Sequence, residues 1–449
     1  MLAGRRLLPP TPRPPMNTLA PQTPASVIGH DAHLIRSRSN LQRQHRAWLA
    51  TACCVFAGWL VIVNRVDAQV VDAQVVDAQV VAPWQRHTID ASLIGADGVR
   101  LADFNGDGLL DVVTGWEESG RVRLYLHPGY ERVREMWPAV TVGIEPSPED
   151  AVACDMDGDG RLDIVSCHEG SSQRVLVHWN RSDGSSPSLL DPGSWQTEVV
   201  TGLSGQRWMF AEPLGKIGGR QAIAVGSKDR KASITLLLAP RNRDATDLSA
   251  WTIHRLRDAG WIMTLRAIDM NDDGNRDLVF SDRRGSARGI GWLEQPAKDA
   301  DSAAWPEHRL GGQQHEVMFI DPGPRRILAS TRNAEWLDLQ RSDQGTWSIE
   351  RRRNPQGVPL GKAIARLGDR GMVMTANTQA AKRVPPTVGM WHSFDGDQWT
   401  AISKMQQVKF DRIECIDLDN DGDLDVMTCE ERQGLGVVWY ENPGIERAK

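Results

Sequence analysis

The sequence predicts an all-β protein, a seven-bladed β-propeller of four-stranded blades, and three observations predict it. Trp recurs at 84, 137, 195, 251, 305, 347 and 399, at intervals of 42 to 58 residues. Between successive Trp lie short runs rich in Val, Ile and Leu, too short for helices and separated by turn-forming residues. An acidic nine-residue pattern returns in four of the units. A repeat near 50 residues suits one blade of four strands better than a helical solenoid.

The order inside a unit is constant. A Trp segment is followed by a Gly- or Pro-containing loop, an apolar strand, an acidic loop, a second strand, a polar loop and a third strand. The first unit shows it as VRLADF, NGDG, LDVVTG, WEESG and VRLYLHPG. The third strand often closes on an aromatic and a Pro or Asn, as in Trp292-Leu-Glu-Gln-Pro and Trp439-Tyr-Glu-Asn-Pro. The last unit ends after its third strand, so Trp84–Ile89 is expected to supply the fourth beside Val437–Glu441. That pairing removes the open sheet edge that invites aggregation. The seven Trp are expected to pack between blades.

Charge divides the chain. Residues 1–46 hold seven Arg and one Asp, and the remainder carries 45 basic against 57 acidic residues. An acidic body of this kind excludes nucleic acid as a partner. We read 1–46 as a basic leader, 47–68 as a signal peptide or signal anchor, 69–83 as a low-complexity spacer and 84–449 as the propeller. Ala47–Val63 is 17 residues without a charge behind Arg46, an export signature. Val66-Asp67-Ala68 permits cleavage before Gln69, whereas 17 residues also reach the lower limit for an uncleaved anchor, the one membrane attachment expected. Met16 offers a later start, and Asp-Ala-Gln-Val-Val repeats three times through 67–81. Cys154, Cys167, Cys415 and Cys429 fit no zinc spacing and read either as bridges or as buried small hydrophobes. A monomer is expected.

The acidic pattern is the strongest signal. It runs Asp103, Asn105, Asp107, Leu109, Asp111; Asp155, Asp157, Asp159, Arg161, Asp163; Asp269, Asn271, Asp273, Asn275, Asp277; and Asp417, Asp419, Asp421, Asp423, Asp425, at positions 1, 3, 5, 7 and 9 of each loop. Oxygen donors at 1, 3 and 5, a backbone carbonyl at 7 and a carboxylate at 9 suit a hard cation, and Gly at 6 permits the sharp turn. Calcium is the expected ion. An EF-hand needs Glu at position 12 and a following helix; position 12 here is Thr114, Ser166, Phe280 or Thr428, and strand-forming residues follow.

With these loops joining strands of a repeated blade, the sequence resembles the FG-GAP/VCBS repeat family, the calcium-loop propellers seen also in integrin alpha subunits. The resemblance implies about four ions, because units three, five and six depart from the pattern at Glu212-Pro-Leu-Gly-Lys, Asp321-Pro-Gly-Pro-Arg and Arg366-Leu-Gly-Asp-Arg. Loops two and seven, with four Asp each, are expected to bind more tightly than loops one and four, with three Asp and one Asn.

Function beyond metal binding is expected on the face opposite these loops. Glu117, His168, Glu169, Arg283, His315, Glu316 and Glu430 are its candidate ligand residues, and the two His-Glu pairs are candidates for acid–base or metal chemistry. No nucleophile elbow, zinc helix or phosphate loop accompanies them. The leading expectation is an exported binding or adhesion module for a glycan or protein; the alternative is a carbohydrate-active lyase or dehydratase.

Overall fold

In a computed structural model of the protein, the residues described run from 84 to 444, leaving out 242–243, 299, 302–303, 355–359, 370, 377–389, 395–398 and 404–408. The chain divides into Met1–Val75 and Val76–Lys449. The expected leader, signal or anchor segment and spacer lie outside the described residues. Among the described residues no helix is long and apolar enough to cross a membrane.

The fold is an all-β propeller of four-stranded antiparallel blades. β1 (Gln85–Asp90) opens the chain of strands. The first blade is β2 (Ala96–Ala102), β3 (Asp111–Trp116), β4 (Arg121–Tyr125) and β5 (Ala139–Ile144), followed by β6 (Pro148–Cys154), β7 (Asp163–His168), β8 (Val175–Asn180) and β9 (Trp195–Val199). Next come β10 (Arg207–Ile217), β11 (Arg220–Lys228), β12 (Ser233–Leu238) and β13 (Thr252–Asp258), then β14 (Ile262–Ile268), β15 (Asp277–Asp282), β16 (Gly289–Leu293) and β17 (Glu307–Gly311). β18 (Val317–Asp321), β19 (Arg326–Thr331), β20 (Glu335–Arg341) and β21 (Trp347–Arg353) form another blade. The last sheets are β22 (Gly361–Leu367), β23 (Gly371–Ala376), β24 (Met390–Ser393) and β25 (Trp399–Ala401), and β26 (Phe410–Ile416), β27 (Asp425–Glu430), β28 (Gly436–Glu441) with β1.

Against the expected seven, six blades are described along all their strands. The remaining four-stranded sheet, β22–β25, is described in part, because 377–389 and 395–398 fall outside the described residues. β1 pairs antiparallel with β28, with Gln85 opposite Glu441 and His87 opposite Trp439. The first strand of each sheet neighbours the first strand of the next, and β26 neighbours β2.

Packing explains the sequence pattern. The second strand of a blade has sheet neighbours on both edges and blades on both faces, so β3, β7, β15 and β27 are buried at every residue. Their side chains therefore read as apolar runs instead of alternating. The recurrent Trp sits just before or at the start of the outermost strand and packs into the seam shared with the preceding blade. Trp137 lies with Ile89, Val437 and Trp439, and Trp251 with Val177, Trp179 and Trp208. Four of these indole N–H groups donate to loop carbonyls: Trp137 to Val133 at 3.0 Å, Trp195 to Leu189 at 2.9 Å, Trp251 to Ala245 at 2.7 Å and Trp305 to Ala300 at 3.0 Å, whereas Trp84 Nε1 is buried without a partner among the described residues. A buried indole combines large apolar area with one polar atom that needs such a partner.

Charged side chains from the first strands meet at the axis. Arg100 on β2 makes a two-pronged contact with Asp150 on β6, at 3.0 and 2.7 Å, and reaches Glu212 on β10 at 3.3 Å. Arg266 on β14 donates to Glu414 on β26 at 3.0 Å, and Arg412 reaches the same carboxylate at 2.8 Å. Apart from Arg412 and Glu414, which share β26, these pairs link strands from separate blades. The four described cysteines form no disulfide, and Cys154, Cys167 and Cys429 are buried. The buried-hydrophobe reading holds for those three.

Candidate functional site

Four acidic loops join the first and second strands of their blades and share one local geometry. In the second loop, Asp155 accepts the backbone N–H of Gly158 at 2.7 Å and of Gly160 at 3.2 Å, and Asp159 accepts that of Arg161 at 2.8 Å. Asp103, Asp269 and Asp417 likewise each take the N–H of the position-6 glycine, at 2.9, 2.8 and 3.0 Å. Those glycines, Gly108, Gly160, Gly274 and Gly422, have φ of 84°, 91°, 85° and 93°, a left-handed turn that a side chain would strain.

The ninth-position carboxylates have a second task that the spacing did not reveal. Asp111, Asp163, Asp277 and Asp425 are at most 1% exposed. Each accepts the N–H of loop position 2 and another from the end of the third strand: His127, Asn180, Gln295 and Asn442, at 2.8, 2.8, 2.9 and 2.9 Å. Burial pushes the carboxyls of Asp111 and Asp277 up to about 6 and those of Asp163 and Asp425 up to about 7, and neighbouring loop carboxylates add to the effect.

The donor sets suit a hard divalent ion. Carboxylate oxygens of Asp155, Asp157 and Asp163 lie within 4.8 Å of one another, as do those of Asp417, Asp419 and Asp425. Like charges this close repel, and a shared cation relieves them. In loops one and four an Asn replaces the Asp at position 3, so positions 1, 3 and 9 hold two carboxylates and one amide. Arginines already attend the crowded loops: Arg181 donates to Asp157 at 3.0 Å, and Arg134 pairs with Asp419. The departing units replace the loop by other means. β10 and β11 meet in a tight hairpin at Gly218-Gly219, and Arg366 of unit six donates to Asp321 of unit five at 2.8 Å.

Strand alternation puts the second-to-third-strand loops and the inter-blade loops on the opposite face. Glu117 lies there in two carboxylate groups, one with Asp97 and Glu431 and one with Glu149 and Glu169. Lys409 pairs with Glu431 and lies 3.7 Å from Asp97, and Lys228 pairs with Glu169. Asp97 and Lys409 of this cluster carried no motif, so spacing alone did not connect them to it.

Arg283 donates to Glu316 at 2.5 Å and covers the Trp261 ring at 4.3 Å, with Arg284 at 4.6 Å and Lys228 at 4.6 Å from the same ring. Glu316 also lies 3.6 Å from Arg284 and 3.9 Å from Arg332. Of the candidate ligand residues, Glu117 and Glu169 thus lie in an acidic sector, and Arg283 and Glu316 in a largely cationic sector around Trp261.

Two of the candidates are consumed by the fold. His168 is fully buried; its Nε2 meets Ser166 Oγ at 2.7 Å and its Nδ1 the Pro146 carbonyl at 2.9 Å, while the same Oγ meets His178 Nε2 at 2.8 Å. Burial holds His168 at about 4 and His178 at about 3. Glu430, also fully buried, accepts backbone N–H groups from Lys409, Arg432, Gln433 and Leu435. His315 is different: its Nδ1 is buried without a partner, beside a pocket.

Residues 103–166, from the first acidic loop through the second, match the family model for an FG-GAP-like repeat. The chain carries an FG-GAP-like repeat. No curated protein matches the chain. Among solved structures, the chain is similar to one titled "Crystal structure of BBS1N in complex with ARL6DN, soaked with mercury", at 8% identity and a TM-score of 0.47, over 81% of this chain and 97% of that one. The FG-GAP-like segment takes in β3 to β6 and much of β7, so its two acidic loops bracket one complete blade-to-blade step.

Proposed function

We propose that the chain is an exported, calcium-stabilised, seven-bladed propeller that acts as a binding module, with a glycan or protein ligand on the face opposite the acidic loops. The observation that carries this reading is the convergence of three carboxylates within 4.8 Å in loops two and seven, held there by the same backbone hydrogen bonds as in loops one and four. Asp, Asn and the backbone carbonyls of Leu109, Arg161, Asn275 and Asp423 complete four oxygen-rich sets, and an ion in each ties first strand, loop and second strand together. The uncharged run 47–63 behind Arg46 supports export, and the sector of mixed charge around Glu117 and Trp261 supports a polar ligand.

Binding of the full chain to a glycan array and to extracellular protein extracts, with calcium or with EGTA, tests the reading. Saturable binding that calcium supports, without formation of unsaturated products by ultraviolet absorbance, is expected. Turnover of a polysaccharide or keto-sugar supports the lyase alternative instead.

A further inference from the structure

A pocket of about 200 Å³ opens on the ligand face in the seam after β17. Its walls are Gly311 and Gly312, Gln313 and Gln314, His315, and Leu337, Ile349 and Arg351 from β20 and β21. It is smaller than the ~300–1,000 Å³ typical of drug-sized ligands. Gly311 and Gly312, at φ of 140° and 80°, keep the entrance open; a Cβ on Gly311 would meet Ile349 Cδ1 at 2.2 Å.

Three features define the ligand chemistry. His315 is 6% exposed and its Nδ1 has no hydrogen-bond partner. A buried polar atom in that state costs free energy until something pairs with it. Arg351 is exposed, sits opposite Leu337 across the β20–β21 ladder, and makes no ion pair among the described residues. The lining contains this one cation and no carboxylate, while Leu337 and Ile349 offer an apolar wall and the Gln amides offer donors and acceptors.

We propose that this pocket binds a single hexuronic acid unit, its carboxylate on Arg351, its hydroxyls on His315 and the Gln amides, and its C–H face on Ile349. This rests on the reading of the opposite face as a glycan-binding surface. The carboxylate-free lining offers nothing for the ammonium of an amino acid. A planar guanidinium can take both carboxylate oxygens at once.

Saturation-transfer NMR and calorimetry on the full chain, with glucuronate, galacturonate, glucose, galactose and acetate as probes, test it. Uronates should bind at least tenfold more tightly than glucose, galactose or acetate. Arg351→Gln should abolish that preference, and His315→Ala should weaken uronate binding about tenfold while thermal melting of the Arg351 variant stays that of the parent. Absence of uronate binding, or uronate binding unchanged in both variants, overturns the proposal. Neutral glycans binding in place of uronates overturns this site and leaves the wider reading of the face standing; no binding here, together with none on the glycan array or from the protein extracts, overturns both.

Discussion

Asp163 Oδ1 accepts the backbone N–H of Asn180 at 2.8 Å, while its Oδ2 accepts that of Met156 at 2.9 Å. One buried carboxylate thus fastens an acidic loop to the far end of the third strand in its blade. The same link recurs at Asp111, Asp277 and Asp425.

This carboxylate is both scaffold and part of the donor set. Asp163→Asn turns an acceptor into an amide N–H facing a backbone N–H, and should cost about 1–3 kcal/mol even in EGTA, and more in calcium, where an oxygen of the donor set loses its charge. Asp157→Asn, at loop position 3, should cost stability in calcium and little in EGTA. Urea unfolding of both variants in each condition checks this; equal losses in EGTA contradict it.

Arg181 competes for the same loop, because it donates to Asp157 at 3.0 Å. Arg181→Gln should therefore raise calcium affinity at the second loop severalfold. Calorimetry on the variant reads this directly, and unchanged or weaker binding would show that the guanidinium orders the loop more than it blocks it.

Much of this fold was legible because it repeats. Trp137, Trp195, Trp251 and Trp305 mark equivalent outer-strand positions, and Asp103 through Asp111 announces a turn chemistry that recurs intact. The strand Trp84–Ile89 was legible from the missing fourth strand of the last unit, and β1 does pair with β28. What escaped was the side-chain contacts, between units and within them. Nothing in the spacing says that Arg100 and Asp150 face one another, or that Glu430 folds back on four N–H groups. His168 looked available because its loop is polar, yet Ser166 and Pro146 hold it inside the blade. Side-chain direction at a strand end depends on how the adjacent loops fold back, which residue spacing does not encode.

The axis should be sensitive to single charges. Arg100 and Asp150 are 7% and 1% exposed at their side chains. Asp150→Ala leaves a buried guanidinium with only Glu212 and the Ala211 carbonyl, and should cost about 3–5 kcal/mol. Chemical denaturation measures this; a loss below 1 kcal/mol would mean water reaches the axis and solvates the arginine.

The pair His168 and His178 gives a pH dependence of known sign. Burial keeps their folded values at about 4 and about 3, below the roughly 6.5 of a free imidazole. The unfolded chain therefore binds protons that the fold refuses. Stability from this source is complete above about pH 6.5 and falls as the pH drops toward 3. In EGTA, His178→Gln should reduce the slope of unfolding free energy between pH 4.5 and 6 by about one proton's worth. An unchanged slope contradicts the assignment.

Equilibrium dialysis of chelator-stripped chain against calcium, paired with thermal melting, asks whether divalent ions in the acidic loops brace the propeller. About four calcium ions per chain should bind, and the melting temperature should rise with calcium concentration. No saturable uptake, together with the same melting temperature in calcium and in EGTA, would contradict it.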